Sequence, residues 1–472
     1  MDCFKPHKYD FDLAIIGSGS AAFAAAIKAT ELGKSVVMIE KSSLGGTCVN
    51  FGCVPSKTLI RAAEAKFKAE NMHFKGISNT KVEIDFKKLI EEKEQLVKSL
   101  QAGKYQSVLD KNKSIKLLSG EAKFNDPHHL TVNSQTISAD KILISTGSDA
   151  VIPSIAGIRD VPYLTSKTAF ELKELPETLA VVGGGYIALE IAQMFSRLGS
   201  KVTIIQRSEL LFQEDNDISR WMTNYLRSEG IEILNHTSID EIKVSSNKVA
   251  VQLSRSEESF SRHFSKILIA TGRKPYTSSL SLESVGVDTS TDGSIVVNEF
   301  GQTNIENIYA AGDVLSTPAL VYVAAYEGNL AAENAFSGNS RKSNYDVIPW
   351  VIFSDPQISG IGLNESQAKA QGIEYDISIL ELDNVPRAIA ARDTRGFIKL
   401  LRKTGTDRLI GARIIAPEGA ELLMELSLMI KYQIPISEIA KELHPYLTLG
   451  EAVKLAAQTF DKDIKSLSCC AS

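Results

Sequence analysis

Short apolar runs alternate with mixed, helix-like stretches from the start of this 472-residue chain. The run Phe11-Asp-Leu-Ala-Ile-Ile predicts a buried strand, and the alanine-rich stretch that follows, to about Leu32, predicts a helix. Gly33 ends that helix, and Ser35-Val-Val-Met-Ile-Glu40 predicts a second strand. A strand, a glycine turn, a helix and another strand, in this order, predict a parallel βαβ unit.

The glycine turn of this unit indicates a dinucleotide site. Gly17 permits the tight turn, and Gly19 lets the backbone approach a pyrophosphate at the helix N-terminus. Glu40, about twenty residues further on, is placed to accept hydrogen bonds from a ribose diol. The candidate cofactor-binding residues are the turn and the end of the second strand, namely Gly17, Ser18, Gly19, Ser20, Ala21, Ala22, Glu40, Lys41 and Ser42.

The same pattern returns later in the chain at one constant offset. Gly17 corresponds to Gly183 and Glu40 to Gln206, and a second repeat matches Ile142-Leu-Ile-Ser-Thr-Gly147 with Ile267-Leu-Ile-Ala-Thr-Gly272. Two such units imply two cofactors, or one cofactor and one nucleotide substrate. The candidate residues of the second unit are Gly183, Gly185, Tyr186, Ile187, Glu190, Gln206, Arg207 and Gly272.

The nucleotide of the second unit is expected to carry a 2′-phosphate. An NAD site usually ends this strand with an acid that binds the adenosine ribose. Gln206 stands there instead, followed by Arg207, whose guanidinium can pair with a phosphate. The sequence therefore favours NADPH over NADH.

The remaining pattern predicts three domains. A charged helical stretch at 83–112 and short strands at 115–144 complete the first unit, to which the chain returns near residue 280. From about residue 345, strands and helices alternate without a nucleotide motif. The predicted fold class is α/β with two Rossmann-like dinucleotide-binding domains, over 1–150 with 280–344 and over 151–279, followed by a C-terminal α+β domain at 345–472.

Composition narrows the functional classes. The net charge of −5 and the pI near 5.9 argue against a nucleic-acid or anionic-membrane partner. Five cysteines do not make an extracellular disulfide framework. The N-terminus lacks the apolar core of a signal peptide, and no apolar run approaches the length of a membrane span. We therefore expect a cytoplasmic protein.

Two of the cysteines stand in the run Gly45-Gly-Thr-Cys48-Val-Asn-Phe-Gly-Cys53-Val-Pro-Ser-Lys57. An isolated cysteine pair in such a protein is more often catalytic or metal-binding than structural. Because the pair follows a nucleotide signature, a redox-active dithiol beside a flavin is favoured over two buried apolar cysteines. Both are expected at helix starts, where the dipole favours the thiolate, with Lys57 one turn beyond Cys53.

In this order the motifs resemble those of the flavin-dependent pyridine-nucleotide disulfide oxidoreductases, over about residues 9 to 470. The resemblance implies FAD on the first unit, NADPH on the second, and a C-terminal dimerisation domain. It also implies that Cys53 lies against the flavin, that Cys48 exchanges with the substrate, and that Lys57 pairs with Glu190 near the flavin ring. The other FAD-binding residues that it implies are Gly46, Thr47, Ala122, Thr146, Gly147, Asp313 and Val321.

Four features resemble the mercuric reductases of that family: the runs 46–57, 382–387 and 445–448, and the terminal pair Cys469-Cys470. This resemblance implies reduction of Hg(II) in a homodimer, with the tail acting in the other subunit's active site. Soft cations prefer thiolates, so the implied ligands of Hg(II) are Cys48, Cys53, Cys469 and Cys470. In many of the enzymes that this resemblance names, a metal-capturing domain precedes the flavin domain. Here only Cys3, interpreted as a spare thiol, precedes the first strand, so we expect no tethered delivery domain.

Tyr446 discriminates among substrates. The run around Glu451 resembles that of dihydrolipoamide dehydrogenase and glutathione reductase, in which a histidine five residues before the glutamate serves as the acid–base. In this chain Tyr446 stands at the position of that histidine. A phenol of pKa about 10 is a poor proton shuttle, so Tyr446 favours a metal over a disulfide. Tyr186 resembles a second tyrosine of the mercuric site, or else covers the nicotinamide pocket, and His444 is interpreted as structural. Two alternatives stay open: a lipoamide-type disulfide reductase, and a flavoprotein that only sequesters soft metal.

Overall fold

The computed structural model describes residues 8–464, and its first sheet is built around the first predicted strand. Strands β3, β2, β1 and β6 are parallel neighbours in that order, and β6 continues into an antiparallel meander with β5 and β4. The strands of this part are β1 Phe11–Ile16, β2 Val36–Glu40, β3 Ile115–Ser119, β4 Ala122–Asp126, β5 His129–Val132, β6 Gln135–Ile144 and β7 Ser148–Ala150. Its helices are α1 Ser20–Glu31, α2 Gly46–Asn50, α3 Cys53–Glu70, α4 Phe86–Gln101 and α5 Ser107–Lys111, with a π-helical turn at Ala102–Gln106 between the last two.

A second parallel sheet follows, with the strand order β10-β9-β8-β14. A three-stranded antiparallel sheet, β11-β12-β13, is inserted before β14, and β15 pairs back with β7. The elements are α6 Ser166–Ala169, β8 Thr178–Val182, α7 Tyr186–Leu198, β9 Lys201–Ile205, α8 Asn216–Ser228, β10 Glu232–Leu234, β11 Ser238–Ser245, β12 Lys248–Arg255, β13 Glu258–Phe264, β14 Lys266–Ile269 and β15 Arg273–Pro275.

The chain then returns to the first sheet. Strand β16 (Ile308–Ala310) pairs in parallel with β6, and helix α9 (Val321–Ser337) packs along α1. The helices approach so closely that a side chain at Gly328 would meet the backbone of Ala21. The return predicted near residue 280 therefore completes the first unit.

The third part is a five-stranded antiparallel sheet covered by helices, with the strand order β17-β18-β21-β20-β19. Its elements are β17 Trp350–Ile352, β18 Gln357–Gly362, α10 Glu365–Ala370, β19 Tyr375–Glu381, α11 Pro386–Ala391, β20 Phe397–Lys403, β21 Leu409–Ala416, α12 Leu423–Tyr432, α13 Ile436–Lys441 and α14 Gly450–Gln458. Short 3₁₀ turns lie at Ile158–Asp160, Leu282–Ser284, Leu382–Asn384 and Gly419–Leu422. Among residues 8–464, no helix has both the length and the apolar character needed to cross a bilayer.

Buried ion pairs join the second sheet's unit to the third part. The ammonium of Lys399, a fully buried side chain on β20, lies 2.7–2.9 Å from carboxylate oxygens of Asp215, Asp217 and Glu365. The guanidinium of Arg413 on β21 donates to Glu214 at 2.6 Å. Because a buried charge is costly without its partner, these contacts fix how the two units pack.

Candidate functional site

The parallel strands of the first sheet end at one edge. Ile16 is in register with Ile39 on β2 and Ile144 on β6, and Ile144 is in register with Ala310 on β16. The loops that follow these strands line a cleft of about 470 Å³. Of the residues predicted from the sequence, its lining includes Gly17, Ser18, Gly19, Ser20, Ala21, Glu40, Lys41, Ser42, Gly46, Thr47, Cys48, Cys53, Ala122, Thr146, Gly147, Asp313 and Val321.

The start of helix α1 is suited to a pyrophosphate. Its N-cap, Gly19, has no side chain to occupy the first backbone N–H groups, and its first turn carries no acid. The backbone of Gly46 lies so close that a Cβ there would come within 2.6 Å of the Gly19 Cα. The cleft and its donors therefore fit the diphosphate of FAD. Ala22 lies behind this surface, fully buried.

Glu40 closes the adenosine end of the cleft. Its carboxylate accepts the Ser18 hydroxyl at 2.6 Å and the Ser42 amide at 2.7 Å. The Ser42 hydroxyl adds a third bond, at 3.0 Å, to the oxygen that accepts the amide, so the oxygen that accepts Ser18 keeps a lone pair for a diol. The geometry fits the predicted ribose contact.

The residues that support the predicted Asp313, namely Ser148 and Arg273 in the cleft and Glu327 beneath it, were not predicted from the sequence. Asp313 accepts from the Ser148 hydroxyl at 2.8 Å, and Arg273 donates to the same hydroxyl at 2.8 Å. Beneath them Glu327, 2% exposed, accepts the Gly312 amide at 2.7 Å and the Tyr345 hydroxyl at 2.9 Å. Burial raises the pKa of Glu327. Their only sequence signal was proximity to the Thr-Gly repeat and to Asp313.

In each of the two units, the glycine turn lies against the end of the strand that carries the Thr-Gly repeat. Gly17 has a φ of +118°, and a Cβ there would lie 2.4 Å from the Ser145 carbonyl oxygen. Gly183 has a φ of +115°, and its Cβ would lie 2.3 Å from the Ala270 carbonyl oxygen. Each turn therefore requires glycine for its conformation and for the strand end beside it. Gly272 follows this second strand end but does not line the cleft.

The cysteine pair lies at one end of the cleft, on two successive helices. Cys53 is the first residue of the 18-residue helix α3, which starts after Gly52 and carries Pro55 in its first turn, where no N–H is needed. Cys48 is the third residue of the five-residue helix α2. Both cysteines therefore lie in the first turn of a helix, but only Cys53 has a long helix dipole behind it.

The two thiols have different acidities. The Cys48 thiol donates to the Cys53 sulfur, and this bond, together with the charge of Lys57, lowers the pKa of Cys53 to about 7 against the opposing effect of burial. The same bond and burial raise the pKa of Cys48 well above its ordinary value. In the reduced pair Cys53, rather than Cys48, is therefore the thiol that ionises near neutral pH.

Lys57 and Glu190 pair as expected from the family resemblance. The ammonium lies 2.7 Å from one oxygen of the Glu190 carboxylate. The other oxygen accepts the Phe353 amide at 2.9 Å, and the ring of Phe353 lies 4.6 Å beneath the ammonium. Lys57 lies on α3, one turn beyond Cys53, and neither member of the pair lines the cleft. Phe353, from the third part of the chain, was not predicted.

The second glycine turn has the same anion-binding features as the first. Gly185 caps α7 without a side chain, and the first turn contains no acid but begins with Tyr186 and Ile187. Gln206 follows β9, and its side chain donates to Ser208. The guanidinium of Arg207 is exposed and pairs with no other described residue. Positive charge is therefore available beside the predicted adenosine ribose.

The two tyrosines lie apart from the cleft. The ring of Tyr186 stacks on that of Trp350 at 5.8 Å, and burial raises the pKa of Tyr186. Tyr446, half-exposed, lies in the turn before α14, where Glu451 accepts the Leu447 amide at 3.2 Å. His444 bonds Glu425 on α12 at 3.0 Å, as a structural residue would. Cys3, Cys469 and Cys470 lie outside the described residues.

Comparison with known proteins identifies the chain's relatives. It is 43% identical to a mercuric reductase of Lysinibacillus sphaericus, over 98% of this chain and 85% of that protein. A mercuric reductase of Streptomyces lividans is 44% identical over 98% of both chains. Among solved structures, the Cu(II) complex of the HOCl-induced flavoprotein disulfide reductase RclA from Escherichia coli has a TM-score of 0.84. It is 30% identical and covers 93% of this chain and 98% of its own.

Family descriptions match nearly all of the chain. Residues 11–328 match the pyridine nucleotide-disulphide oxidoreductases, and residues 348–457 match the dimerisation domain of the same family. The predicted fold class is thereby confirmed, and so are FAD and NADPH as the cofactors that the family and these relatives imply. By sequence, fold and the geometry of its cleft, the chain belongs to the pyridine nucleotide-disulphide oxidoreductase family.

Proposed function

We propose that the protein is a mercuric reductase that uses NADPH to reduce Hg(II) to Hg(0) by two electrons. The observation that carries this proposal is the Cys48–Cys53 pair at the end of the FAD cleft, in a chain whose relatives over 98% of its length are mercuric reductases. Bound FAD would supply two-electron transfer between NADPH and the cysteine pair.

Each side chain around the pair contributes a separate part of this chemistry. Cys53, held as the thiolate by Cys48 and Lys57, would face the flavin, and Cys48 would exchange with the thiolates that carry Hg(II). The Glu190 carboxylate holds the Lys57 ammonium in place beside them. A pair meant only for sequestering metal would need neither this ion pair nor the cleft, which disfavours the storage alternative.

We further propose that a second copy of the chain completes the site. Met424, Leu428 and Tyr432 recur every four residues along α12 and are exposed, forming an apolar stripe on one helix face. Leu443, 89% exposed, precedes His444, which bonds Glu425 beside Met424 on α12. A twofold dimer through this surface would cover the stripe and bring Tyr446 to the partner's cysteines. The resemblance to mercuric reductases leads us to propose that the Cys469–Cys470 tail acts there as well.

Substitutions of Tyr446 distinguish Hg(II) from a disulfide as the substrate. We expect Tyr446→Phe to lower kcat for Hg(II) about ten- to a hundredfold, because one hydrogen bond to a charged thiolate–metal cluster, about 1.5–3 kcal/mol, is lost. Tyr446→His, which restores a His–Glu arrangement with Glu451, should raise a trace disulfide reductase activity. Steady-state rates with Hg(II) under excess thiol and with lipoamide measure both.

The wild type is the control for this comparison. It should reduce lipoamide hardly at all, because a phenol is a poor acid–base at neutral pH. Brisk lipoamide turnover with a bell-shaped pH profile near neutrality would identify a disulfide reductase and contradict the proposal. The solved structure of the disulfide reductase RclA is a Cu(II) complex, so Cu(II) belongs in the same assay as a second metal that binds thiolates.

The tail should act in metal transfer and not in electron transfer. Replacing Cys469 and Cys470 together by Ala should leave flavin bleaching by NADPH at the wild-type rate. Turnover should fall most when bulky thiols chelate Hg(II), because stripping the ion from such ligands needs two new thiolates at once. Stopped-flow absorbance and steady-state turnover separate these steps. Normal Hg(II) reduction by the double variant under excess glutathione would exclude a transfer role.

Arg207 should set the nucleotide preference. We expect a higher kcat/KM for NADPH than for NADH, because the guanidinium can bind a 2′-phosphate and no acid replaces it on the strand. Arg207→Glu should reduce that preference about tenfold or more by exchanging attraction for repulsion. Equal kcat/KM values in the wild type would contradict this assignment. Arg262→Glu, on β13, is the matched control.

The proposal also includes the cellular compartment and the limits of the three domains. We place the reaction in the cytoplasm, where reduced thiols persist and NADPH is supplied. The domain limits that we propose, 1–150 with 280–344, 151–279 and 345–472, fall at the ends of β7, between β15 and Leu282, and between α9 and β17. Limited proteolysis of the holoenzyme would locate the exposed junctions.

A further inference from the structure

A groove of about 590 Å³ lies on the second unit. It runs along α8 and past β10, the outermost strand of its sheet. One end of the groove, at Glu209, lies two residues beyond Arg207 and so adjoins the adenosine end of the predicted dinucleotide site. None of the groove's lining residues is among those predicted to bind the dinucleotide.

The groove is cationic on a protein whose net charge is −5. Arg220, Arg227 and Arg255 line it, against the single carboxylate of Glu209. Within residues 8–464, Arg220 and Arg255 form no ion pair or hydrogen bond, and Arg227 donates only to the Ile233 carbonyl, at 3.3 Å. Three guanidiniums with most of their donors unused face one space.

Glu209 does not neutralise these arginines. One of its oxygens accepts the side-chain amide of Asn235, and the other bonds His236 Nε2 at 2.8 Å. Both partners belong to the turn after β10, so the carboxylate is committed to holding that turn. The positive charge of the groove is therefore available to a ligand.

Two polar atoms of the groove's residues are also unsatisfied. Asn235 Oδ1 and Thr223 Oγ1 are buried and have no hydrogen-bond partner among the described residues, and Thr223 is only 6% exposed. An unsatisfied buried acceptor is costly. A ligand that brings hydroxyl or amino donors to this turn would satisfy Asn235.

We propose that the groove binds a phosphorylated small molecule that also carries hydroxyl or amino donors, of the class of nucleotides and sugar phosphates. Guanidiniums are suited to phosphate because their planar donors pair with two oxygens at once. The amide oxygen of Asn235 would read the uncharged part of the ligand. This site is independent of mercury reduction, so its failure would leave the proposed function standing.

Calorimetric titration of the holoenzyme tests the site, with adenosine diphosphate and a ribose phosphate as probes and saturating NADP⁺ present throughout. Because NADP⁺ fills the second glycine turn, the remaining saturable binding belongs to the groove. We expect Arg220→Gln and Arg255→Gln each to weaken the dissociation constant about tenfold or more. Arg262→Gln should leave it unchanged, since that guanidinium lies over Phe260 on β13, outside the groove.

Two outcomes would overturn the proposal. The first is the absence of saturable binding of either probe at millimolar concentration. The second is binding that is seen only in a parallel titration without NADP⁺, and that Arg207→Gln weakens while Arg220→Gln and Arg255→Gln do not, which would place the probes in the dinucleotide site. Far-ultraviolet circular dichroism of each exposed arginine variant confirms that the fold is intact, so a loss of binding reports on the groove.

Discussion

Replacing either Cys48 or Cys53 with Ser should lower Hg(II) turnover at least about a thousandfold, because neither two-electron storage nor soft-metal ligation survives the loss of one thiol. The two variants should differ in what remains. Cys53→Ser removes the residue proposed to face the flavin, whereas Cys48→Ser keeps that thiol and removes the exchanging one. Rapid-reaction absorbance with NADPH, followed by Hg(II), measures both steps.

The acidity of Cys53 provides a second readout that does not depend on turnover. In the reduced wild type, ultraviolet thiolate absorbance should appear with a midpoint near pH 7, since the thiolate dominates above its pKa. Cys48→Ala removes the hydrogen-bond donor, so the midpoint should rise by about one to two pH units and the thiolate present at neutral pH should decrease. Cys48→Ser keeps a donor and should move the midpoint less. An unchanged midpoint in Cys48→Ala would show that Cys48 does not stabilise the thiolate.

Placing a charge in the apolar stripe of α12 should have an effect of similar size. We expect Leu428→Asp to yield monomers, because an isologous interface would bury that carboxylate twice without a partner. Hg(II) turnover should then fall by more than about a hundredfold, as the partner's Tyr446 and tail thiols are withdrawn together. NADPH should still reduce the flavin, since the cleft and the Lys57–Glu190 pair lie within one chain. Sedimentation and stopped-flow absorbance report the two properties separately.

The control is a charge on another exposed apolar side chain. Val244 on β11 is 56% exposed and belongs to the second unit, so Val244→Asp should change neither mass nor turnover. A Leu428→Asp protein that stays dimeric would remove the stripe from the interface. A monomer with full Hg(II) turnover would show that each chain carries a complete site.

The sequence predicts the two nucleotide units well because backbone geometry requires glycine in their turns. At Gly17 and Gly183 the φ angle is positive and a carbonyl oxygen lies close by, so a residue with a Cβ does not fit and the glycine pattern is recognisable in the sequence. The alternation of strands and helices predicted from about residue 345 is likewise found, and its strands β18 and β21 are almost entirely buried.

Other elements leave weaker signals. β17 has three residues and α11 has six, so both are too short for a strand alternation or a helical period to be recognised. The meander β11-β12-β13 forms a half-exposed sheet in which polar and apolar residues are mixed, so its strands lack the apolar runs that mark the buried strands.

In the site, sequence reasoning reached residues inside motifs and missed those that tertiary packing brings there. Phe353 supports the Glu190–Lys57 pair from a different part of the chain, and Arg273 reaches Ser148 across a two-stranded connection. Glu327 lies one layer beneath the Asp313 loop. Spacing along the chain carries no trace of such contacts, because each depends on how separate units pack.

The ion pairs around Lys399 constrain how evolution or a protein engineer can recombine this chain. An exchange of the second unit with that of a relative would separate the Lys399 ammonium from Asp215 and Asp217, and the Arg413 guanidinium from Glu214. A chimaera that inherits one side alone would keep a buried charge without its counterion, at a cost of several kcal/mol. The nucleotide-binding and C-terminal parts would therefore have to be exchanged together, and the exchange would also have to preserve the Lys57–Glu190 pair that joins them to the flavin unit.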